Sequence, residues 1–162
     1  MPIQAFADLN CSIAKPLSVL GERWALLVIR DVSLGRCRFD QIQGSLGVAT
    51  NVLSQRLATL TEEGILERRA YSEHPERFEY RLTEKGHELM PVLWALMRWG
   101  DKWTAGEGGP PIELVHDDCG EVAHMVPACS ACGEELVPGR GHLHAQLGPG
   151  ASEEQRRTSV LR

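Results

Sequence analysis

An α+β fold, mainly helical, is predicted by three features of this 162-residue chain. Apolar residues recur at helical spacing through several segments before residue 64 and through a longer one after residue 83. Residues 65–82, between them, alternate apolar and polar side chains, the period of half-buried strands. Apolar residues make up 43% of the sequence, enough for a core and too many for a disordered protein.

The first helix is expected over residues 12–20, with Ile13, Leu17 and Leu20 on one face and Gly21 as its stop. Residues 22–34 are apolar through their middle and predict a buried central helix ended by Gly35. A short helix over 39–46, bounded by Gly47, comes next. The fourth, over 51–63, has Thr50 at the expected N-cap and Gly64 just past its end. The segments ILERRAYSE and RFEYRL read as strands, joined at His74-Pro75-Glu76 into a hairpin. Thr83 is expected to cap a last long helix running to Trp103, with Leu89, Leu93, Leu96 and Trp103 as its apolar stripe. Met90, Trp94 and Met97 broaden that stripe, and Pro91 is expected to bend the helix or to mark a shift in it.

This order divides the chain into a helical and hairpin domain over 1–104, a Gly/Pro linker over 105–111, a Cys/His segment over 112–138 and a flexible, polar tail over 139–162. The net charge is −5, and all of it lies beyond residue 104, because acidic and basic residues balance in 1–104. Nucleic-acid binding must therefore rest on where charges sit, not on their sum. The N-terminus lacks a basic region followed by an apolar run, and no stretch approaches the ~18 apolar residues of a membrane span. The expected compartment is the cytoplasm, with no membrane partner.

Two helices joined by a short Gly-containing turn and followed by a β-hairpin have the order of a winged helix-turn-helix. In its second helix, placing Leu53, Leu57 and Leu60 toward the core turns Asn51, Gln55 and Ala58 outward, flanked by Ser54 and Thr59. No acidic residue stands on that outer face before Glu62. Small and amide side chains are what a major groove admits, and Asn or Gln can pair with adenine N6/N7. Arg56 lies beside the apolar stripe, where it serves either a phosphate contact or an intramolecular ion pair. Arg77 stands at the wing tip, within the wing expected over 72–79, to meet a phosphate or the minor groove. Arg68, Arg69 and Arg81 are interleaved with Glu67, Glu73, Glu76 and Glu79, so they also read as solvated pairs. Arg38, Thr50, Asn51, Ser54, Gln55, Arg56 and Arg77 form the candidate DNA-contacting set.

Here the motifs become specific. Cys11-Ser-Ile13, Leu20-Gly-Glu-Arg-Trp24, Arg38-Phe39-Asp-Gln-Ile42 and Leu53-Ser-Gln-Arg-Leu57 stand in order. They are followed by Glu63-Gly-Ile-Leu66, Phe78-Glu-Tyr80-Arg-Leu-Thr83-Glu-Lys-Gly86 and Trp94-Ala-Leu-Met-Arg-Trp99-Gly. Over residues 9–104 the chain resembles the HxlR-type winged-helix regulators. The resemblance implies a homodimer joined through the first and last helices, double-stranded DNA as partner, and control of transcription in response to an unidentified small-molecule or oxidant effector. Relatives often carry a basic residue or Pro where this chain has Cys37, so that position inherits nothing.

Some relatives sense oxidants or electrophiles through a cysteine before the first helix, and Cys11 matches that place. A thiol at a helix N-terminus gains thiolate character from the positive end of the macrodipole. Half-buried structural thiol is the alternative. Cys37 has two cationic neighbours, Arg36 and Arg38, and reads otherwise as an ordinary turn residue.

His116-Asp-Asp-Cys119-Gly120 and Cys129-Ser-Ala-Cys132-Gly133 repeat one pattern of ligand, two residues, Cys, Gly. Such spacing lets both side chains of a turn face one ion, with glycine opening the backbone after the second. A zinc-ribbon-like pair of knuckles with ligands His116, Cys119, Cys129 and Cys132 is the expectation, the zinc being structural. His124 is an alternative fourth ligand and His142 and His144 weaker ones; three reduced thiols in a floppy tail is the plain alternative. Zinc deaminases also use C-x-x-C, but in the form P-C-x-x-C, from which Pro127-Ala-Cys129 departs here. With no G-x-S-x-G or P-loop either, no enzyme is expected. The rival of another class is a winged-helix protein–protein module with a metal-stabilised appendage.

Overall fold

The computed structural model describes residues 8–74, 76–137, 139 and 144–158. The first seven residues, Pro75 at the expected hairpin tip and His142 among the weaker ligand candidates lie outside them. The chain divides into two compact units, Met1–Leu93 and Trp94–Arg162. In the order of the chain, the described elements are α1 (Ala14–Leu20), α2 (Ala25–Ser33), α3 (Phe39–Leu46), α4 (Thr50–Glu62), β1 (Leu66–Glu73) and β2 (Glu76–Leu82). They continue with α5 (Glu84–His87), α6 (Met90–Thr104), β3 (Leu114–Val115), β4 (Val122–Ala123) and α7 (Glu153–Thr158).

The first unit is built around α2. Ala25, Val28, Ile29 and Val32 are buried on it and meet Ile42 of α3, Leu53, Leu57 and Leu60 of α4, and Ile65 and Leu66 at the entry to the hairpin. These positions are the period-3.6 and period-2 apolar sets of the sequence, which is why the core was legible in advance. β1 and β2 pair antiparallel, Leu66 opposite Leu82 and Arg68 opposite Tyr80. The register shifts between Ala70 and Ser72, which leaves Tyr71 as the extra residue of a bulge. A bridge from Arg38 to Glu79 ties the start of α3 to the same sheet, and the Tyr80 amide donates to the Cys37 carbonyl at 2.7 Å.

Three boundaries differ from expectation. The central helix begins at Ala25, because Trp24 turns left-handed at φ 78 and halts helical continuity from Glu22. The fourth helix begins one residue early: Thr50 is its first residue and Ala49 the N-cap, with Gly64 beyond the end at φ 66. Thr83 does cap a helix, its Oγ1 accepting from the Gly86 amide at 3.1 Å, but that helix is only α5. Of its two readings Pro91 takes the second, a shift in the helix and not a bend, since α5 ends at His87 and α6 starts at Met90. It sits at the second position of α6, where its missing N–H costs nothing because first-turn amides have no helical partner anyway.

In the second unit, β3 and β4 pair antiparallel with Val115 opposite Val122, and Ala128 bridges Glu135. Within residues 139–162, Glu153–Thr158 forms α7. Ser152 Oγ accepts from the Gln155 amide at 3.2 Å, and the Gln155 side chain reaches back to the Ser152 amide at 2.9 Å. That reciprocal capping box is the local reason a helix forms there.

Candidate nucleic-acid interface

The helix-turn-helix is α3, the turn Gly47–Ala49 and α4. Gly47 ends α3 in the left-handed region at φ 61, a conformation glycine reaches without a Cβ penalty. Gln43 then brackets the turn: its Nε2 donates to Thr50 Oγ1 at 2.9 Å and to the Val48 carbonyl at 3.4 Å. The angle between the two helices is thus fixed by a side chain that the sequence reading had not singled out. Thr50 uses its oxygen as acceptor for Gln43, which leaves its hydroxyl proton available to an outside acceptor such as a phosphate oxygen.

On α4, Leu53, Leu57 and Leu60 are buried, while Thr50, Asn51, Ser54, Gln55 and Ala58 are exposed. The outward face is therefore the one expected, with amide and hydroxyl groups over the first two turns and no carboxylate before Glu62. Arg56 departs from the contact set. It is 7% exposed, and its Nη2 lies 2.6 Å from Glu22 Oε2. Of its two readings the structure takes the intramolecular ion pair, because four residues of helix rotation carry it to the same side as Leu53 and Leu60.

The wing sorts its arginines. Arg69 pairs with Glu67, and Arg81 Nε lies 3.0 Å from Glu79 Oε1. Arg68 stacks over Phe78, 3.4 Å from the ring centroid. Arg77, next to the tip and opposite Ser72, is exposed and has no ion-pair partner among the described residues. Arg38 is exposed too, held over the Tyr71 ring at 4.3 Å. The bulge that displaces Tyr71 thus supplies the platform for Arg38; the pairing register, unreadable from sequence, decides it. Arg38, Arg68, Tyr71, Arg77 and Phe78 line one open concavity of about 550 Å³ at the base of the wing. Three guanidiniums, two of them stacked on rings, share this hollow with the carboxylates of Asp40 and Glu76, which leaves one positive charge in excess to meet a phosphate.

Cys11 is exposed. Backbone N–H groups of Ala14 and then Ile13 donate to its sulfur and hold its thiol below the ordinary value. Cys37 is buried, its S–H directed at the Val32 carbonyl at 3.9 Å, so it is a packed thiol.

In the Cys/His segment, His116 Nδ1 and Cys119 Sγ are 3.3 Å apart. Cys129 is half-buried and Cys132 exposed. The Cys129 thiol is lowered by the amides of Ala131 and Cys132 and by the Cys132 side chain. The two pairs stand separately: among the described residues no three His, Cys, Asp or Glu side chains gather into one group that could hold a metal. His124 faces an apolar groove with Trp94, Met97 and Leu114, and His144 is exposed. No helix of the described residues is long and apolar enough to cross a membrane.

The HxlR-like helix-turn-helix family matches residues 19–107. An uncharacterized HTH-type transcriptional regulator of Mycobacterium tuberculosis is 42% identical over 139 residues, 86% of this chain and 87% of the relative. The crystal structure of PA1607, a candidate transcription factor, superposes with a TM-score of 0.73 at 33% identity, covering 83% of this chain and 94% of that one. The redox regulator HypR in its reduced form superposes with a TM-score of 0.54 at 27% identity, covering 57% of this chain and 92% of that one.

Proposed function

Because the chain belongs to the HxlR-like helix-turn-helix family, we propose that it is a cytoplasmic, homodimeric transcriptional regulator that reads operator DNA with α4 in the major groove. The observation that carries this reading is the exposed face of Asn51, Ser54, Gln55 and Ala58, polar yet free of carboxylates. Asn51 and Gln55 supply amide groups for adenine edges, while Thr50, Arg38 and Arg77 supply phosphate contacts. The protein acts without catalytic activity of its own.

The homodimer reading is supported by apolar surface that a lone chain leaves in water. Ile13 on the approach to α1 is 71% exposed, and Leu96, Trp99 and Trp103 on α6 are 51%, 59% and 65% exposed. Large apolar side chains left exposed like these are the kind that an interaction surface covers. A second copy of the chain is the occupant proposed.

Selection of genomic fragments by the purified protein, followed by alanine variants, tests the reading. Gln55→Ala and Asn51→Ala should each weaken binding to the selected site by about 1–3 kcal/mol and leave binding to random DNA nearly unchanged. Unaltered specific binding in both variants removes α4 from the readout. DNA binding without salt dependence, or none, instead favours the protein–protein module.

A second reading concerns the effector. Cys11 is exposed and donated to by two backbone amides, and the similar protein HypR is a redox regulator. Thiol oxidation at Cys11 would then release or tighten DNA. Cys11→Ser should abolish any oxidant response in an operator-binding assay; a response that persists assigns sensing elsewhere.

A further inference from the structure

The two turns of the Cys/His segment share one backbone although their middle residues differ. In the first, the His116 amide donates to the Glu121 carbonyl at 3.0 Å and the Gly120 amide to the His116 carbonyl at 2.7 Å. In the second, the Cys129 amide donates to Glu134 at 2.8 Å and the Gly133 amide to Cys129 at 2.8 Å. Gly120 and Gly133 are both left-handed, at φ 71 and 75. Each turn closes an antiparallel pair, Val115 with Val122 and Ala128 with Glu135. The correspondence places His116 with Cys129 and Cys119 with Cys132.

Nothing apolar explains why such turns should hold. No described residue from 94 to 137 is buried, and Val115, Val122 and Val126 are 56%, 60% and 47% exposed. A segment this short cannot offset its ordering entropy with a core of its own, and small folds in that position rely on a staple. Disulfide staples are absent, since Cys119, Cys129 and Cys132 are all free.

The donor geometry identifies the staple. His116 Nδ1 and Cys119 Sγ stand 3.3 Å apart. Zn–N and Zn–S bonds of about 2.0 and 2.3 Å at a tetrahedral angle need an N···S edge of about 3.6 Å.

We propose that one zinc ion per chain joins the two turns, with His116, Cys119, Cys129 and Cys132 as its four ligands. Four protein ligands fill a tetrahedral site, so the ion is structural. Binding replaces three S–H bonds by Zn–S bonds and releases the protons to solvent. Each turn is a half-site; the two stand apart in the structure, so binding one ion must draw them together. This assignment does not depend on DNA binding.

The test uses the full-length chain, stripped by chelator under reductant and titrated with cobalt(II), then zinc. One cobalt per chain is expected, with the intense d–d bands of a tetrahedral thiolate site, displaced by one equivalent of zinc. Zinc should then protect Cys119, Cys129 and Cys132 from a thiol reagent while Cys11 still reacts. Cys129→Ser/Cys132→Ser should lose the bands, and His116→Ala should shift them toward lower intensity. Sub-stoichiometric or octahedral cobalt binding overturns the proposal, as does free reaction of all three thiols in excess zinc. Loss of the bands in His124→Ala but not in His116→Ala overturns the ligand set. Circular dichroism of each variant shows whether the winged helix remains folded, so a general collapse is distinguished from loss of the site.

Discussion

At the scale of single residues, burial separates arginines that sequence treats alike. Arg56 holds Glu22 at 2.6 Å while its Nε lies buried without a partner, so the pair is its main compensation for leaving water. Removing one member leaves the other charge half-desolvated. Arg56→Ala should therefore destabilise the protein by about 3 kcal/mol in chemical denaturation. A variant as stable as the parent would show that the pair contributes nothing. Asp31 is the other case: it is fully buried on α2, with Arg30 Nη2 2.6 Å from its Oδ1. Its burial was not legible, because ERWALLVIRDVSL gives no sign of which side of α2 Asp31 takes. Cys11 gives a pH signature. Its thiol is held down by the amides of Ala14 and Ile13. The thiolate fraction therefore exceeds that of an ordinary cysteine at any pH below the usual thiol range. Alkylation rates measured against pH should show Cys11 reacting at lower pH than free cysteine, whose pKa is about 8.5. Coincident profiles would remove the amides as activators.

At the scale of elements, close approach and charge placement make the predictions. Gly86 packs so tightly that an added Cβ would stand 2.3 Å from the Ile65 carbonyl oxygen and 3.0 Å from Leu82. Gly86→Ala must push α5 off the hairpin and should cost about 1–3 kcal/mol, read as a lowered denaturation midpoint. The motif Thr83-Glu-Lys-Gly86 thus has a steric reason at its end and a capping reason at its start. In the wing, Arg69 and Arg81 are occupied by glutamates, which leaves Arg77 and the Tyr71-stacked Arg38 to meet phosphate. Arg77→Ala should weaken cognate and random DNA alike and reduce the slope of log affinity against log salt by about 1. An unchanged slope would place the wing off the DNA.

At the scale of the whole molecule, the apolar side chains of α6 call for a partner. Trp99→Glu/Trp103→Glu in the full-length chain should sediment as a monomer at micromolar concentration. Operator affinity should fall on the order of 100-fold, because linked half-site modules gain about 10²–10⁴ in avidity. A double variant that remains dimeric would move the contact away from α6.

The sequence by itself determined the order of the first four helices and the hairpin, the apolar positions of α2 and α4, the outward face of Asn51 and Gln55, and the family. These depend on periodicity and turn residues, which are local and repeat along the chain. Tertiary structure alone decided the partner of Arg56, the burial of Asp31 and Cys37, and the bulge that brings Tyr71 under Arg38. Each of these turns on which residues, distant in sequence, come within a few ångströms of one another. Periodicity tells which face of an element is buried, but not what it is buried against.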